Sequence, residues 1–231
     1  RAAVQNVSVQ LTAPSGWSVQ ANTASGAGAV PSGHSLTTSW TVTPPANSAA
    51  GSYDLTATAR YLWDDGTRSD STGGTTTVLV PNPPPHGTAY VSDLQWTSQS
   101  NGWGPVERDM SNGETAAGDG HAITIGGVTY AKGIGAHAPS EVDVYLGGNC
   151  SSFSSDVGLD DEVGNNGSVD FQVFADGTKV ADSGVVHGSD SAKHLTADLA
   201  GAKFLRLVIT DAGDGNTYDH SDWAGAAVSC G

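Results

Sequence analysis

Short stretches of alternating apolar and polar residues recur along the whole chain, and they constrain its fold more than any other feature. Examples are VSVQL around Val7 and YDLTATARYLW from Tyr53 to Trp63. A period of two is typical of β-strands, in which successive side chains point to opposite faces. Long patterns rich in Leu, Glu and Lys, which would indicate helices, are missing, and 31 of the 231 residues are glycine. The chain is therefore predicted to be all-β.

A run of prolines, PNPPP at Pro81–Pro85, interrupts this pattern. Proline has no N–H donor and a nearly fixed φ angle, so such a run forms a stiff spacer rather than a strand. We therefore predict two domains, residues 1–81 and residues 88–231, joined by a linker at residues 82–87.

The two domains are predicted to be β-sandwiches of different kinds. In the first, strand patterns such as SLTTSWTV from Ser35 to Val42 alternate with turn signals such as PSG and DDG. This spacing predicts a small antiparallel sandwich like an immunoglobulin domain, with Trp40 in its core. The second has about eight short strands with long loops, which favours a jelly roll. Asp176 and Gly177 predict a hairpin turn between two of these strands.

The charge excludes two classes of partner. The formal net charge is −15, and most of it lies in the second domain: four acids oppose three bases through Pro81, against twenty acids and six bases after it. A surface of this sign repels phosphate backbones and anionic lipids, so no nucleic-acid partner is expected. No membrane insertion is expected either, because no apolar run approaches ~18 residues.

Two cysteines, Cys150 and Cys230, lie beside predicted strands of the second domain. In a Lys-poor chain rich in Ser, Thr and Gly, we expect a disulfide that ties the last strand to a central one. Two buried thiols are the alternative, and a metal pair is disfavoured because no CxxC element is present. Since Arg1 is not a natural start, we expect a fragment of a longer secreted, extracellular protein.

The segment TDAGDGNTYDHSDW, from Thr210 to Trp223, contains four aspartates, one histidine and two aromatic residues. Ionised carboxylates resist burial, so this loop is expected to face water, a cation or a polar ligand at the end of a sheet. A neutral sugar needs carboxylates and imidazoles for its hydroxyls and an aromatic face for its C–H groups. Asp219 and His220 are the predicted hydroxyl partners and Trp223 the stacking surface, although Trp223 equally suits a core position in the last strand.

Other candidates for a sugar site lie outside this loop. Trp103, in the turn-rich segment SNGWGP, suits an exposed stacking platform. His137, in GIGAHA, either lines the same loop end or is a buried structural histidine. Asp161 and Glu162 belong to a run of three acids that would repel one another without a cation or donor nearby. We predict that one or two acids of this run contact sugar, with Asp161 and Glu162 as the candidates. A solvated acidic loop is the alternative for this run.

Five motifs of the second domain resemble the NPCBM family, in order and with matching spacing, over Tyr90 to Cys230. The first domain, over Val4 to Val80, resembles the NPCBM-associated domain of bacterial α-galactosidases. The NPCBM motifs are YVSDLQWTSQSNGWGPVERDMSNG at Tyr90–Gly113, YAKGIGAHAPSEVDVYL at Tyr130–Leu146, FSSDVGLDDE at Phe153–Glu162, FQVFADGTKVADSG at Phe171–Gly184 and DHSDW at Asp219–Trp223. The first-domain motifs are VQNVSVQLTAPSGWSV from Val4, WTVTPP at Trp40–Pro45 and AGSYDLTATARY at Ala50–Tyr61.

The resemblance implies a galactose-binding-like sandwich appended to glycoside hydrolases and recognising terminal galactose or related sugars. It also implies that the first domain is a spacer without chemistry of its own. A structural calcium is implied too, and by analogy its candidate ligands are Asp109 and Asn112 in RDMSNGE. Family members often carry an acid two residues after the final Trp. This chain has Gly225 there, so ligation from that position is lost or replaced by a carbonyl.

Catalysis is not predicted for this chain. Glycoside hydrolysis needs two carboxylates placed across the scissile bond, one with a raised pKa, in a deep pocket. No motif such as GxSxG or HExxH singles out a catalytic group. We therefore predict a monomeric, non-catalytic module that binds galactose-containing glycans beside the catalytic domain of a parent enzyme of the α-galactosidase type. A protein-binding or adhesion module that uses the acidic face, and a spacer without sugar affinity, are the alternatives.

Overall fold

The computed structural model describes residues 3–231, which form two compact units divided between Asn82 and Pro83. Both units are built of β-strands, and the second also contains two short 3-10 segments, Val91–Asp93 and Asp161–Val163. The predicted all-β fold is confirmed. Within residues 3–231, no helix is long and apolar enough to cross a membrane.

The first unit is a small immunoglobulin-like sandwich of six strands. These are β1 (Val4–Thr12), β2 (Ser18–Ala21), β3 (Gly26–Val30), β4 (Trp40–Thr43), β5 (Gly51–Trp63) and β6 (Arg68–Val80). One antiparallel sheet has the order β3-β1-β5-β6 and the other pairs β2 with β4. Along β1, Val7, Val9 and Leu11 are half-buried while Ser8 and Gln10 are exposed, as the period of two predicts.

The fourth strand is shorter than predicted. Residues 35–39 have no regular structure, and β4 begins only at Trp40. The strand partner β2 ends at Ala21, which pairs with Trp40. Beyond that pair the Asn22 N–H donates to the Ser39 carbonyl oxygen over 2.8 Å, but the Ser39 N–H donates to the Thr23 hydroxyl, so the ladder does not continue. Trp40 itself is half-buried rather than fully enclosed, and its indole N–H donates to the Thr38 hydroxyl over 3.2 Å.

The second unit contains thirteen strands. These are β7 (Gly87–Tyr90), β8 (Trp96–Ser100), β9 (Glu107–Arg108), β10 (Ile123–Ile125), β11 (Val128–Tyr130), β12 (Gly133–His137), β13 (Ser140–Tyr145), β14 (Cys150–Leu159), β15 (Ser168–Ala175), β16 (Thr178–His187), β17 (Lys193–Asp198), β18 (Phe204–Thr210) and β19 (His220–Cys230).

Two antiparallel sheets of this unit pack face to face as the expected galactose-binding-like sandwich. The six-stranded sheet has the order β17-β14-β19-β12-β9, with β7 also paired to β19. The five-stranded sheet has the order β16-β15-β18-β13-β8. Between them lies one hydrophobic core, to which alternate residues of both sheets contribute. Its largest fully buried side chains include Trp223, Phe153, Phe171, Ile134 and Leu207.

Two local predictions for this unit are confirmed. In the turn between β15 and β16, Asp176 has φ 46° and Gly177 has φ 80°, the two positive angles that a type I′ hairpin turn requires. Cys150 and Cys230 form a disulfide across 80 residues. They lie opposite each other on β14 and β19, so the bond ties the last strand to its neighbour in the sheet.

A third layer covers part of the outer face of the six-stranded sheet. The β10–β11 hairpin packs Ile123 and Ile125 against Ala224 of β19. Gly158 of β14 permits this contact, because a Cβ there would lie 2.4 Å from a methyl group of Ile125. At this point β19 is therefore buried on both faces, which determines the environment of the acidic residues near it.

Candidate functional site

The candidate site lies at the end of the second unit where β12 and β14 end and β19 begins. These three strands are neighbours in the six-stranded sheet. Their register pairs His137 with His220 and Leu159 with Ser221, so the residues that follow β14 also come to this end. Trp103, His137, Glu162 and His220 meet here, and we call these four residues the rim.

Three rings of the rim form a contiguous array. The ring centroids of Trp103 and His137 are 6.1 Å apart, and those of His137 and His220 are 5.0 Å apart in an edge-on arrangement. Trp103 is 55% exposed, and its indole N–H donates to the Glu114 carbonyl oxygen over 3.1 Å. A large, fixed and solvent-facing aromatic surface of this kind suits the apolar face of a sugar.

The loop that carries Trp103 is held by Asn101. The Asn101 side-chain oxygen accepts the His137 backbone N–H at 2.8 Å, and its amide group lies 2.7 Å from both the Trp103 carbonyl oxygen and the Asn112 side-chain oxygen. Gly102 is required for the close approach of the two segments, because a Cβ there would lie 2.2 Å from the Ala138 carbonyl oxygen. The loop therefore keeps Trp103 beside His137.

The two rim histidines have opposite pKa shifts. A hydrogen bond with Glu162, 2.8 Å between Nδ1 and Oε1, raises the pKa of His220. Burial lowers the pKa of His137, whose Nδ1 lies 2.9 Å from the Ala138 carbonyl oxygen. With its proton assigned to Nδ1 by that partner, neutral His137 has an acceptor at Nε2. Glu162, with a side chain 25% exposed, adds carboxylate oxygens, which are hydrogen-bond acceptors.

Asp161 does not face the rim, although its sequence neighbour Glu162 does. Its two carboxylate oxygens accept the backbone N–H groups of Gly126 and Gly127 at 2.7 and 2.8 Å. Asp161 therefore fastens the turn of the β10–β11 hairpin instead of contacting ligand.

Trp223 lies in the core and not on the binding surface. It is 1% exposed, and its ring packs edge-on against Phe153 and Phe171 at 5.9 and 5.0 Å. The prediction that it stacks on sugar is corrected here: β19 is a central strand, and the face of β19 that carries Trp223 is the face turned to the other sheet.

Asp219 is also enclosed rather than presented to ligand. It is 0% exposed; one oxygen accepts the Ser168 N–H at 3.1 Å, and the other has no partner. Burial, together with the negative charges of Asp214 and Asp211, raises the pKa of Asp219 to about 6. Asp219 therefore belongs to the packing beneath the acidic loop.

We expect Asp219→Asn to stabilise the protein at neutral pH and to leave its stability unchanged near pH 4. Because the folded-state pKa lies above the ordinary value, the folded state binds the proton more tightly, and the charged form becomes a cost as pH rises from about 4 to 6. The gain at pH 7 should approach about 3 kcal/mol in the free energy of unfolding. Urea unfolding at pH 4 and pH 7 measures it, with Asp65→Asn as an exposed control. A loss of stability at pH 7 would contradict this account.

The two predicted calcium ligands do not converge on one position. Asp109 accepts from the Lys132 ammonium at 2.6 Å and from the Gly133 N–H at 3.2 Å. Burial alone would raise the pKa of Asp109, but the hydrogen bond from Lys132 lowers this pKa below its ordinary value. The Asn112 side-chain oxygen instead accepts a hydrogen bond from the Asn101 side-chain amide over 2.7 Å. Asp109 is thus paired with a cation that the protein itself supplies, and the two residues do not fit a shared calcium.

A different pair of acids does fit a hard cation. Asp222 is 0% exposed, and neither of its oxygens has a hydrogen-bond partner. Burial and the neighbouring Asp160 carboxylate raise the pKa of Asp222 well above its ordinary value. A hydrogen bond between the two carboxyls would need a proton on one of them. The Met110 carbonyl oxygen also lies over this face, 2.3 Å from the position of a Cβ on Gly135, the cross-strand partner of Asp222.

The number of acidic ligands at this place is small. Within residues 3–231 no group of three or more His, Cys, Asp or Glu side chains is placed to hold a metal. Calcium accepts six to eight oxygens, including backbone carbonyls and waters, so two carboxylates with the Met110 carbonyl oxygen nearby match its donor chemistry.

Sequence reasoning missed the polar residues that support the rim. Asn101 organises the Trp103 loop, and Glu114 fixes the indole through its carbonyl oxygen. Ser111 is fully buried, and its hydroxyl lies 3.4 Å from Glu162 Oε2. The only signal for Asn101 is its place before Gly102 in a turn-rich segment, and Glu114 acts through its backbone, which leaves no side-chain pattern.

The galactose-binding-like sandwich, together with the family match, defines the second unit as a carbohydrate-binding module. The chain belongs to the NPCBM/NEW2 domain family, whose sequence profile matches residues 87–229. The profile of the NPCBM-associated NEW3 domain of α-galactosidase matches residues 1–62, in the predicted order. Domains of this kind are non-catalytic accessory domains of carbohydrate-active enzymes.

Two curated relatives bear enzyme names. The chain is 42% identical over 98% of its length to a Renibacterium salmoninarum protein named as an endo-α-N-acetylgalactosaminidase. It is 32% identical over 67% of its length to α-1,3-galactosidase B of Akkermansia muciniphila. The matched regions make up 15% and 18% of those proteins, so the chain corresponds to a small part of each.

Solved structures show the same fold. A CBM51 from Clostridium perfringens GH95, in complex with methyl-galactose, is 37% identical, with a TM-score of 0.56 over 62% of this chain and 99% of that one. CBM51-2 with the INT domains of C. perfringens ZmpB, in complex with GlcNAc, is 29% identical, with a TM-score of 0.55 over 78% of this chain and 38% of that one. The tandem CBM51 modules of a Streptococcus pneumoniae family 98 glycoside hydrolase, 18% identical with a TM-score of 0.54, share the fold.

Proposed function

We propose that the second unit binds a terminal galactose, or a closely related sugar, at the rim. The observation that carries this proposal is the exposed face of Trp103 next to the His220–Glu162 pair, which places a stacking surface beside hydroxyl partners. The methyl-galactose bound by the C. perfringens GH95 module supports the choice of sugar. One sugar on an open rim buries little surface, so the dissociation constant should be about millimolar to high micromolar.

Binding that competes with a free monosaccharide tests this proposal. The chain is applied to an array of galactose-terminated glycans in the presence of increasing methyl-galactose, with methyl-mannose as the control sugar. We expect bound protein to be displaced by methyl-galactose and not by methyl-mannose. A protein-binding or adhesion module would ignore both sugars, and a spacer without affinity would give no signal on the array. Either result would overturn the proposal.

The same proposal places the chain in a larger enzyme. Both curated relatives named for an activity act on α-linked galactose or N-acetylgalactosamine, which supports a parent glycoside hydrolase of that class. In that setting the chain, as a monomer, holds the neighbouring catalytic domain at galactose-rich glycans, with the first unit as spacer. The Cys150–Cys230 disulfide supports a secreted, extracellular location, because such bonds persist in oxidising compartments.

We also propose that a structural calcium is held by Asp222 and Asp160 rather than by Asp109 and Asn112. When bound, the ion would neutralise two buried carboxylates and so remove the cost of burying their charge. Met110 would add its carbonyl oxygen from the segment that crosses this face of the sheet. The ion would thereby fasten residues 109–112, which lead into the rim, to β19.

Calcium should therefore raise the melting temperature of the second unit. At a free concentration one hundred times the dissociation constant, the gain in stability is about 2.7 kcal/mol. Differential scanning calorimetry in EDTA and in calcium measures it, with magnesium as a control ion. Asp222→Asn should abolish the calcium effect and Asp109→Asn should keep it. If EDTA and calcium give the same transition, the Asp160–Asp222 pair shares a proton instead, and the calcium proposal is wrong.

A further inference from the structure

The outer face of the five-stranded sheet carries a cluster of aromatic side chains that the rim does not use. Tyr145 of β13 is the cross-strand partner of Phe204 of β18, and their ring centroids are 5.3 Å apart. Phe174 of β15 is the cross-strand partner of Arg206, two residues along β18. We call Tyr145, Phe174, Phe204 and Arg206, together with Asp143, the sheet-face patch.

These rings depart from the pattern of the rest of that face. The inner positions of β13 and β18, such as Val144 and Leu205, fill the core, so the alternate positions point to solvent. An antiparallel sheet with one face in water normally carries polar residues there. Glu141 and Asp143 follow this rule. Phe204 breaks it, being 43% exposed, while Tyr145 and Phe174 beside it are half-buried.

A fixed polar pair lies beside the rings. Arg206 donates to the two oxygens of Asp143 at 2.7 and 3.1 Å, and Glu141 lies 3.4 Å from its Nε. The Asp143 side chain is 15% exposed, and its two-point contact with Arg206 sets the direction of the guanidinium. A guanidinium has five N–H donors, and two of them are used by Asp143. Donors remain for a ligand hydroxyl in a fixed direction.

A depression of about 490 Å³ lies between the Phe204 ring and the polar pair, within the size range of small-molecule sites. Its walls are Phe204, Arg206, Asp143, Thr97 and the Asp176–Gly177 turn. Two carboxylates, Asp143 and Glu141, surround the single guanidinium, so the local charge disfavours phosphate, sulfate and carboxylate ligands. An aromatic wall with fixed hydrogen-bonding groups and no free cation suits a neutral sugar.

The sheet-face patch is separate from the rim. β13 starts at Ser140, three residues after His137 of the rim, and reaches the patch at Tyr145. Five steps of ~3.3 Å carry the chain ~17 Å away from the rim, towards the other end of the sandwich. A monosaccharide at one site cannot touch the other.

We propose that the sheet-face patch is a second carbohydrate-binding site, which takes a neutral hexose or N-acetylhexosamine unit. This inference extends the proposed function, since it assumes that the module serves glycan binding, but it does not depend on the rim being occupied. Two weak sites on one module bind a surface with many glycan ends more tightly than either site alone.

Chemical-shift mapping of the full chain tests the second site. The ¹⁵N-labelled protein is titrated separately with methyl-galactose and with N-acetylglucosamine. We expect one set of shifts at the Trp103 indole and around His220, and a second set at the Arg206 Nε–H and the Phe204 and Tyr145 amides. Phe204→Ala should weaken the second set at least about tenfold in dissociation constant and leave the first unchanged. Val128→Ala, which removes a 53% exposed side chain on β11, is the matched control and should change neither.

The outcomes separate this inference from the proposed function. Shifts confined to the rim with both sugars, or patch shifts that persist unchanged in Phe204→Ala, would overturn the second site and leave the rim assignment intact. Patch shifts without rim shifts would support the second site and overturn the proposed function. In Trp103→Ala, the patch shifts should survive with their dissociation constant unchanged.

Discussion

Replacing Trp223 by alanine is expected to lower the free energy of unfolding of the second unit by about 3–5 kcal/mol. The ring is 1% exposed and lies between the two sheets against Phe153 and Phe171. Its removal leaves a cavity between the sheets. The strands can fill this cavity only in part, because β19 is fixed by backbone hydrogen bonds to a neighbouring strand on each side. Urea unfolding followed by far-ultraviolet circular dichroism measures the loss.

Trp103→Ala is the matched control for this experiment, because it removes the same side chain from a position that is 55% exposed. Its effect on stability should stay below about 1 kcal/mol, because the substitution removes one hydrogen bond to Glu114 and only a small buried apolar area. A Trp223→Ala protein that keeps its full stability but loses sugar affinity would instead place Trp223 at the ligand.

Trp103→Ala is expected to abolish measurable sugar binding at the rim. The indole is the large solvent-facing ring of the rim, and it is held there by Asn101 and Glu114 through contacts that leave its face free. Loss of a stacking anchor at an interface of this size costs at least about 1.4 kcal/mol, a tenfold weaker dissociation constant. If the dissociation constant of the unmodified protein is about millimolar, the weakened binding of Trp103→Ala falls outside the range of calorimetry.

The exposed Trp63 of the first unit provides the control for binding. Trp63→Ala removes an indole that is 40% exposed and belongs to the other unit, and it should leave galactoside affinity unchanged. Unaltered affinity in Trp103→Ala, with a normal unfolding transition, would show that the sugar does not stack on this ring.

The strands and the two sandwiches could be predicted from sequence because period-two patterning is a local property. The Asp176–Gly177 turn was equally local, since an Asp-Gly pair adopts positive φ angles readily. Ser35–Ser39 was predicted as strand and is not one. That segment does not form a strand because the neighbouring strand β2 ends too early to pair with it. The length of a neighbouring strand cannot be read from the pattern of the segment itself.

The structure brings together only some of the predicted site residues, and the others depart from the prediction for one cause. Asp161 and Glu162 are adjacent acids in one 3-10 turn, so composition cannot tell which of them turns to the hairpin and which to His220. Trp223 and Asp222 alternate along β19, and both are buried because the other sheet covers the face of Trp223 and the third layer covers the face of Asp222. No periodicity rule anticipates a strand covered on both faces by segments distant in sequence.

Pairing between distant residues also explains the surroundings of the predicted calcium ligands. Asp109 is neutralised by Lys132, 23 residues further along the chain. The Asp160–Asp222 pair joins residues 62 positions apart. Such partners become visible only once the sheet order is known.

A crystal structure of this chain with bound methyl-galactose tests the rim assignment most directly. We predict one hexose with its apolar face on the Trp103 indole and with hydroxyls in hydrogen-bond reach of His220 and Glu162. A saturated crystal in which the rim is empty, whatever sugar binds elsewhere, would contradict the assignment.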